Sequence, residues 1–407
     1  MSDDLQDPST RPEPGSTPAG PTRRSFLVTG GLTVLGATLA GRALGQDLAP
    51  TEKPSTPAEE KAPLPPEERV GYALVGLGEL TLGQLLPAFG QTRKSRPVAL
   101  VSGHPDKAKK VASQYGIDPK NIYSYENFDS IRDNPQVQVV YVVLPNGLHA
   151  EYVTRAARAG KHVMCEKPMA TSPQEAEAMI AACRSAGVKL MVAYRAQFEP
   201  RHVEAARLIR SRAFGQPKLI TGEFVQNMGD PEQWRLKKAL AGGGSLPDIG
   251  LYPLNFSRYA LNEEPEEVSA HIFSTPGDPR FREVEETVGF TLRFPSGVIA
   301  QLGSSYGAHR SARFRVMSER GWTDLNPAFQ YEGNRLSVGR RVGLQEGDEV
   351  RTVENKNQFA LEIDHLSDAI LKNTPVKTPG EEGLRDHRIM AAIYQSAQEG
   401  RPVRLDG

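Results

Sequence analysis

From Arg69 onward, apolar positions along the chain fall into two alternating patterns. Short unbroken apolar runs occur in "RVGYALVG", "PVALVSG", "VQVVYVVLP" (137–145), "KHVMCEKP" and "VKLMVAYR". Each is bounded by glycine, proline or charged residues, which predicts strands buried on both faces. Between them lie amphipathic segments, "LGQLLPAF", "HPDKAKKVASQYG", "HAEYVTRAARAG" and "TSPQEAEAMIAACRSAG", with a shorter helix around "YENFDSI". Gly160 and Gly187 sit where such helices stop. Ser172 reads as an N-cap, Pro173 as the first helical residue and Glu175 as the second half of a capping box. Strands alternating with helices at this spacing predict a doubly wound parallel sheet over 69–193.

The pattern changes in 194–407. "QPKLITGEFVQ" alternates like a half-buried strand, and "EETVGFTLRFPSGVIAQLGSSYG" reads as a hairpin turning at Pro295-Ser296-Gly297. "ARFRVMSERGWTDL" and "YEGNRLSVGRR" predict further strands. The helices "NQFALEIDHLSDAILKN" and "EGLRDHRIMAAIYQSAQEG" close the chain. The fold class is therefore α/β, with a second, α+β part.

The first 45 residues follow neither pattern. Residues 1–22 are rich in Pro, Ser, Thr and Asp and are expected to be disordered. Arg23 and Arg24 precede an apolar stretch, Phe26 to Ala40, that is too short and glycine-rich for a comfortable membrane span. "ALG" at 43–45 is a small-x-small cleavage site. Together they predict a twin-arginine signal peptide over 1–45, with export of the folded protein to the periplasm and no membrane association after cleavage. The alternative is an N-terminal anchor that stays uncleaved. Residues 46–68, dense in Pro, Glu and Lys, read as an extended arm or a simple spacer.

Composition mainly excludes. The 407 residues carry 49 Lys+Arg against 49 Asp+Glu. Zero net charge argues against nucleic acid as the main partner and against a polybasic membrane anchor. Cys165 and Cys183 sit in no CxxC or Cys/His cluster, and the 8 histidines show no HxxxH or HExxH spacing, so no metal site is expected. Both cysteines read as buried free thiols, with a disulfide between them as the minority reading.

Chemistry first appears at the turn after the first strand. Gly76-Leu-Gly78-Glu79-Leu80-Thr81 is a G-x-G-x-x-T turn opening a helix, the fingerprint of a Rossmann dinucleotide site with Thr81 where Gly or Ala is usual. An NAD reader ends its second strand on an acid for the ribose 2′-hydroxyl. Here that place holds Ser102-Gly103, with Lys107 on the next helical turn. A serine can bond a 2′-phosphate and a lysine can neutralise it, so NADP is favoured over NAD; the other reading of Lys107 is an ordinary solvated lysine. Further on, Asp248 and Tyr252 are four apart behind three glycines, so a helix would put both on one face. A core tyrosine on an amphipathic helix would look the same.

The motifs "GLGELT", "LPNGLH", "CEKP", "AYRAQFEP" and "GGGSLPDIGLYPLN" together resemble the glucose–fructose oxidoreductase/inositol dehydrogenase/rhizopine catabolism family, over about Arg69 to the C-terminus. The "QWR" at 233–235 and the proline-rich arm are similar to the glucose–fructose and aldose–aldose oxidoreductase branch. The resemblance implies an N-terminal Rossmann domain and a C-terminal domain with a large open, mainly antiparallel sheet, whose last helices pack back on the first domain. It implies that Lys167 binds the reacting hydroxyl of a sugar beside the nicotinamide, stabilising a developing alkoxide. Tyr252 replaces the family's histidine as base, and its ordinary pKa of about 10 would be pulled down by Lys167. Asp248 would orient the sugar. Leu144, Pro145, Asn146, His149 and Glu166 would flank the cofactor, and Tyr194 and Arg195 would reach the sugar. Trp234 would stack on cofactor or sugar, Arg235 would meet a phosphate, and Tyr306 would face the cleft; each of these last is equally open to a packing role. By the same resemblance the arm would cover the cofactor of a neighbouring subunit in a homodimer or homotetramer, trapping NADP and coupling oxidation of one sugar to reduction of another. Rival expectations are a dehydrogenase with exchangeable NAD(P) and a non-catalytic NADP-containing sugar-binding protein.

Overall fold

A computed structural model describes residues 62–342 and 345–405. The expected signal peptide, 1–45, and most of the expected arm lie outside the described residues. Of the arm, only the end is seen: a single turn at Pro66–Glu68, with the Arg69 guanidinium donating to the Leu64 carbonyl.

The first sheet holds β1 (Val70–Val75), β2 (Ser95–Val101), β3 (Ile122–Tyr123), β4 (Val139–Val142), β5 (His162–Glu166) and β6 (Leu190–Ala193). All neighbours are parallel, in the order β3-β2-β1-β4-β5-β6. That is the doubly wound arrangement, and β1 and β4 are buried along their whole length. The crossovers are α1 (Leu86–Phe89, after a π-helical turn at Thr81–Leu85), α2 (Pro105–Tyr115), α3 (His149–Arg158) and α4 (Pro173–Ser185). The strand expected over 137–145 is shorter, because the chain leaves the sheet before Leu144-Pro145 and turns into α3. The helix around "YENFDSI" is a 3-10 helix at Phe128–Asp133. Ser172 caps α4 as expected, but the Glu175 carboxylate reaches past it to the backbone N–H and hydroxyl of Thr171. Cys165 and Cys183 are free and buried, and burial pushes the Cys183 thiol up to about 12.

A helix the periodicity did not reveal, α5 (Pro200–Arg210), leads out of β6; its signals are Glu199, whose carboxylate caps His202 N–H, and Pro200 at the first turn. The second sheet contains β7 (Pro217–Asn227), β8 (Glu267–Phe273), β9 (Thr287–Arg293), β10 (Ile299–Ser305), β11 (Gly307–Ser318), β12 (Gly321–Leu325), β13 (Leu336–Val342), β14 (Gln345–Val350) and β15 (Val403–Arg404). Its order is β14-β13-β12-β11-β7-β10-β9-β8-β15, with β7 and β10 the one parallel pair among the described strands of this sheet. The expected hairpin joins β9 to β10. Inserted between β7 and β8 are α6 (Lys238–Ala241) and α7 (Leu251–Leu261), the latter preceded by a π-helical turn at Leu246–Gly250.

The last helices, α8 (Gln358–Leu371) and α9 (Gly380–Glu399), return to the first sheet. Asp364 of α8 accepts from Arg93 and Lys94 N–H and from the Ser95 hydroxyl, while Tyr72 of β1 donates to the Ile363 carbonyl. α9 packs on α4 and on β8. A Cβ on Gly383 would stand 2.8 Å from the Met169 sulfur, so glycine lets α9 lie this close. α9 is also pinned to α7: the buried Arg258 guanidinium pairs with Asp386, Glu382 and Glu264. Removing one partner from such a cluster strands the others in a dry site. Arg258→Met should therefore cost about 3–5 kcal/mol of stability, measured as a lowered urea midpoint at neutral pH.

Candidate active site

The cofactor turn is built locally. Gly76 has φ +95°, and a Cβ there would lie 2.3 Å from the Val143 carbonyl oxygen. Thr81, the departure from the fingerprint, closes the turn by donating its hydroxyl to the Gly76 carbonyl at 2.7 Å. Gly78 and Glu79 are exposed, Leu80 is half-buried, and a Cβ on Gly78 would meet nothing within 4 Å. The backbone there stands open for a ligand to approach. At the end of β2, Ser102 is buried and its oxygen accepts from His104 N–H, which leaves its own O–H to donate; Gly103 and Lys107 are exposed beside it. An open glycine turn, a hydroxyl donor and a lysine fit a nicotinamide dinucleotide.

Other expected cofactor residues are engaged elsewhere. Asn146 donates to the Ala241 carbonyl, tying the turn after β4 to α6. His149 is fully buried with one ring nitrogen 2.9 Å from the Pro168 carbonyl and the other 2.8 Å from that of Leu144. Burial lowers the pKa of the ring, so the neutral imidazole donates to one of these carbonyls while it sits between the two loops. Leu144 and Pro145 remain half-buried. Glu166 accepts from the Tyr141 hydroxyl at 2.7 Å.

Lys167, Asp248 and Tyr252 do come together. The Lys167-Pro168 peptide is cis. The Lys167 ammonium donates to the Asp248 carbonyl at 2.8 Å and to its Oδ1 at 3.0 Å, and lies 4.7 Å from the centre of the Tyr252 ring. Asp248 Oδ2 accepts from Arg235 Nε at 3.1 Å and from the Tyr306 hydroxyl at 2.7 Å. These bonds give three of the expected site residues partners within the protein. Arg235 donates its Nε to Asp248, with Trp234 stacked on its guanidinium at 4.5 Å. Tyr306 is fully buried and bonded to the acid. The Asp248 carboxylate holds both the Lys167 and the Arg235 cations. Burial alone would raise the Asp248 carboxyl, but Lys167 and Arg235 beside it hold it well below the usual range. Burial likewise opposes the Lys167 ammonium, and Asp248 and Tyr252 more than offset it.

Tyr252 is half-buried. Its oxygen accepts from Arg195 Nε at 3.0 Å, and the guanidinium lies 4.6 Å from its ring centre. Arg195 is fixed in turn by the carbonyls of Phe329 and Gln330 and by Gln358 Oε1. Tyr194, expected to reach the sugar, is instead buried and turned to Asp386. The sequence reading missed the loop at 326–334 and Gln358 altogether. Tyr331 lies on that loop with the Arg195 guanidinium 4.7 Å from its ring. The available signal was Asn326-Pro327, a turn marker inside an apolar region.

The three glycines before Asp248 also have a packing reason. Glu285 accepts from Gly244 N–H at 2.8 Å, Leu246 N–H at 3.0 Å and the Tyr394 hydroxyl at 3.1 Å. It satisfies the open end of the Asp248 helix. A Cβ on Gly243 would stand 2.2 Å from the Tyr394 oxygen, and one on Gly244 2.0 Å from the Glu285 carbonyl oxygen.

Family models match both parts of the chain: an oxidoreductase family with an NAD-binding Rossmann fold over residues 70–194, and the GFO/IDH/MocA C-terminal domain over 202–324. The chain belongs to the GFO/IDH/MocA oxidoreductase family. It is similar to the crystal structure of aldose-aldose oxidoreductase from Caulobacter crescentus, at 46% identity and a TM-score of 0.80, covering 83% of this chain and 100% of that one. It is 32% identical to D-xylose 1-dehydrogenase [NADP(+)] of Haloarcula marismortui, covering 83% of this chain and 93% of that protein. It is 28% identical to 1,5-anhydro-D-fructose reductase of Ensifer adhaerens, covering 82% of this chain and 98% of that protein.

The family site has a definite pH signature here. The folded-state pKa of Asp248 lies below its unfolded value of about 3.9. Its contribution to stability is thus complete above the unfolded value and is lost as pH falls through the folded one. Asp248→Asn leaves Lys167 and Arg235 uncompensated and should cost about 3–5 kcal/mol at neutral pH. The gap between the urea midpoints of variant and wild type should close as the pH is lowered below about 4.

Proposed function

We propose that this chain is a periplasmic sugar oxidoreductase with tightly held NADP. In this reading it oxidises an aldose at C1 to a lactone and reduces a second sugar to its alditol in a ping-pong cycle. The observation that carries it is the junction of Lys167, Asp248, Tyr252 and Arg195 beyond the carboxyl ends of β5 and β6, where ligands enter open parallel sheets. The likeness to an aldose-aldose oxidoreductase supports the two-sugar cycle. The open turn at Gly78, with Ser102 and Lys107 nearby, supports NADP.

When bound, NADP supplies the hydride acceptor of one half-reaction and the donor of the other. The chain does the rest. Lys167 is oriented by both the carbonyl and the carboxylate of Asp248, so its remaining N–H is free for the substrate oxygen and favours negative charge there. Tyr252 Oη takes the hydroxyl proton in the oxidative half and returns a proton to the carbonyl oxygen of the second sugar. Arg195 Nε donates to Tyr252 Oη and would stabilise that oxygen when it has lost its proton. A homodimer or homotetramer fits the second sheet, since alternate positions of β7 and β10 are left outside the core.

A second reading, a dehydrogenase with exchangeable cofactor, is favoured by the likeness to D-xylose 1-dehydrogenase [NADP(+)]. One experiment separates them. Protein purified without added cofactor is watched for reduced-nicotinamide fluorescence while glucose, then fructose or another aldose, is added. A rise followed by a fall is expected; a signal only after NADP is supplied would establish the exchangeable dehydrogenase instead. Tyr252→Phe should lower kcat by about 10²–10⁴-fold with cofactor still bound, as read by steady-state turnover and nicotinamide absorbance. Full activity would remove Tyr252 from the base role.

A further inference from the structure

Behind Lys167 and Arg195 lies an acid that the proposed chemistry does not use. Glu362, on α8, is fully buried, and neither of its carboxylate oxygens has a hydrogen-bond partner. Four residues earlier on the same helix, Gln358 accepts from Arg195 at 2.9 Å. Three and four residues along a helix share a face, so Glu362 is stacked next to the arginine's anchor. Glu166, at the end of β5 and 8% exposed, is the acid that faces it from the first sheet. The other titratable groups around Glu362 are Tyr72 of β1, Tyr141 of β4 and Arg195 itself.

An unpaired buried carboxylate is among the costliest groups a fold can hold. Two carboxyls close together cannot both ionise at little cost. Glu166 has partners for the charged form, accepting from the Tyr141 hydroxyl and, at 3.3 Å, from Lys167 N–H; Glu362 has none. The proton therefore belongs on Glu362. Burial first, and the Glu166 carboxylate second, push Glu362 well above the ordinary carboxylate range.

We propose that Glu362 is held as a neutral carboxylic acid in the field of the Glu166 carboxylate, and that its proton keeps Arg195 committed to the Tyr252 phenol. The reason is competition. Arg195 spends its donors on neutral oxygens, those of Tyr252, Phe329, Gln330 and Gln358. A charged carboxylate beside Gln358 would attract the guanidinium more strongly than any of these. Protonated, Glu362 offers no such pull. Glu362 is then a positioning residue acting through Arg195. The inference rests on the role given to Tyr252 above, but its first test does not.

That test is infrared spectroscopy of the full chain as purified, titrated from neutral to alkaline pH, comparing wild type with Glu362→Gln and Glu166→Gln. Wild type should show the carbonyl stretch of a protonated carboxyl at neutral pH, and the band should be missing from Glu362→Gln. In Glu166→Gln it should remain but titrate away at lower pH, because the neighbouring negative charge is gone. Turnover of wild type should fall along the same alkaline titration, and in Glu362→Gln that limb should move to higher pH. Absence of the band from wild type overturns the proposal, as does a band that titrates while both enzymes keep the same alkaline limb. If the first variant does not fold, the downward shift in Glu166→Gln decides, and an unchanged titration there overturns the proposal. If no sugar is turned over, the oxidoreductase reading fails while the infrared result still judges the proton.

Discussion

The site depends on keeping one carboxylate charged in a place that penalises charge. Asp248 is largely withdrawn from water, with 17% of its side chain exposed, and it accepts from Lys167, Arg235 and Tyr306 at once. These donors come from the end of β5, from the turn before α6 and from the junction of β10 and β11. An acid with three charged or polar partners from three segments repays its desolvation only when all of them arrive together. The relation between the two sheets is thus written into the same atoms that orient the Lys167 ammonium. Glu285 and the tight glycines act one step further back, fixing the helix on which Asp248 stands.

Arg195 plays the matching part for Tyr252. Its donors are divided between a phenol, two loop carbonyls and an amide. The arrangement presents one N–H to Tyr252 at 3.0 Å and leaves the arginine little freedom to turn elsewhere. The loop carrying Phe329 and Gln330 and the helix carrying Gln358 are distant in sequence from both Arg195 and Tyr252. Their convergence makes the phenol's surroundings a property of the whole domain.

This explains which parts could be read from the sequence. The turn at Gly76–Thr81, the strands of the parallel sheet and the i, i+4 pair Asp248 and Tyr252 were legible because each depends on neighbours a few residues away. Lys167, Asp248 and Tyr252 could be grouped from motifs. The partners of His149, Tyr194, Arg235 and Tyr306 could not, because whether a polar group faces a ligand or a buried acid is decided by segments tens of residues distant. α5 was missed for a different reason: its inward face, His202, Ala205, Ala206 and Ile209, keeps helical spacing but is made mostly of small and polar residues rather than large apolar ones. β8 carries exposed residues at its far end, and its alternation fades there.

Two buried acids, Asp248 and Glu362, show how a fold assigns charge by partners alone. Glu362 is wholly out of water and Asp248 largely so. One is surrounded by donors and stays ionised; the other meets no donor and keeps its proton. With Glu362 neutral, the cations at the site are Lys167, Arg195 and Arg235, and the anions are Asp248 and Glu166. One positive charge is left over, and the geometry says where a negative one would be welcome: at the phenol oxygen between Lys167 and Arg195, or at the substrate oxygen beside it. In the proposed cycle, passing a proton from the substrate hydroxyl to the ionised Tyr252 oxygen moves the negative charge from one of these oxygens to the other and no farther. Ionising Glu362 would cancel the surplus from behind, which is why the protonation of an acid that touches neither oxygen bears on the chemistry at both.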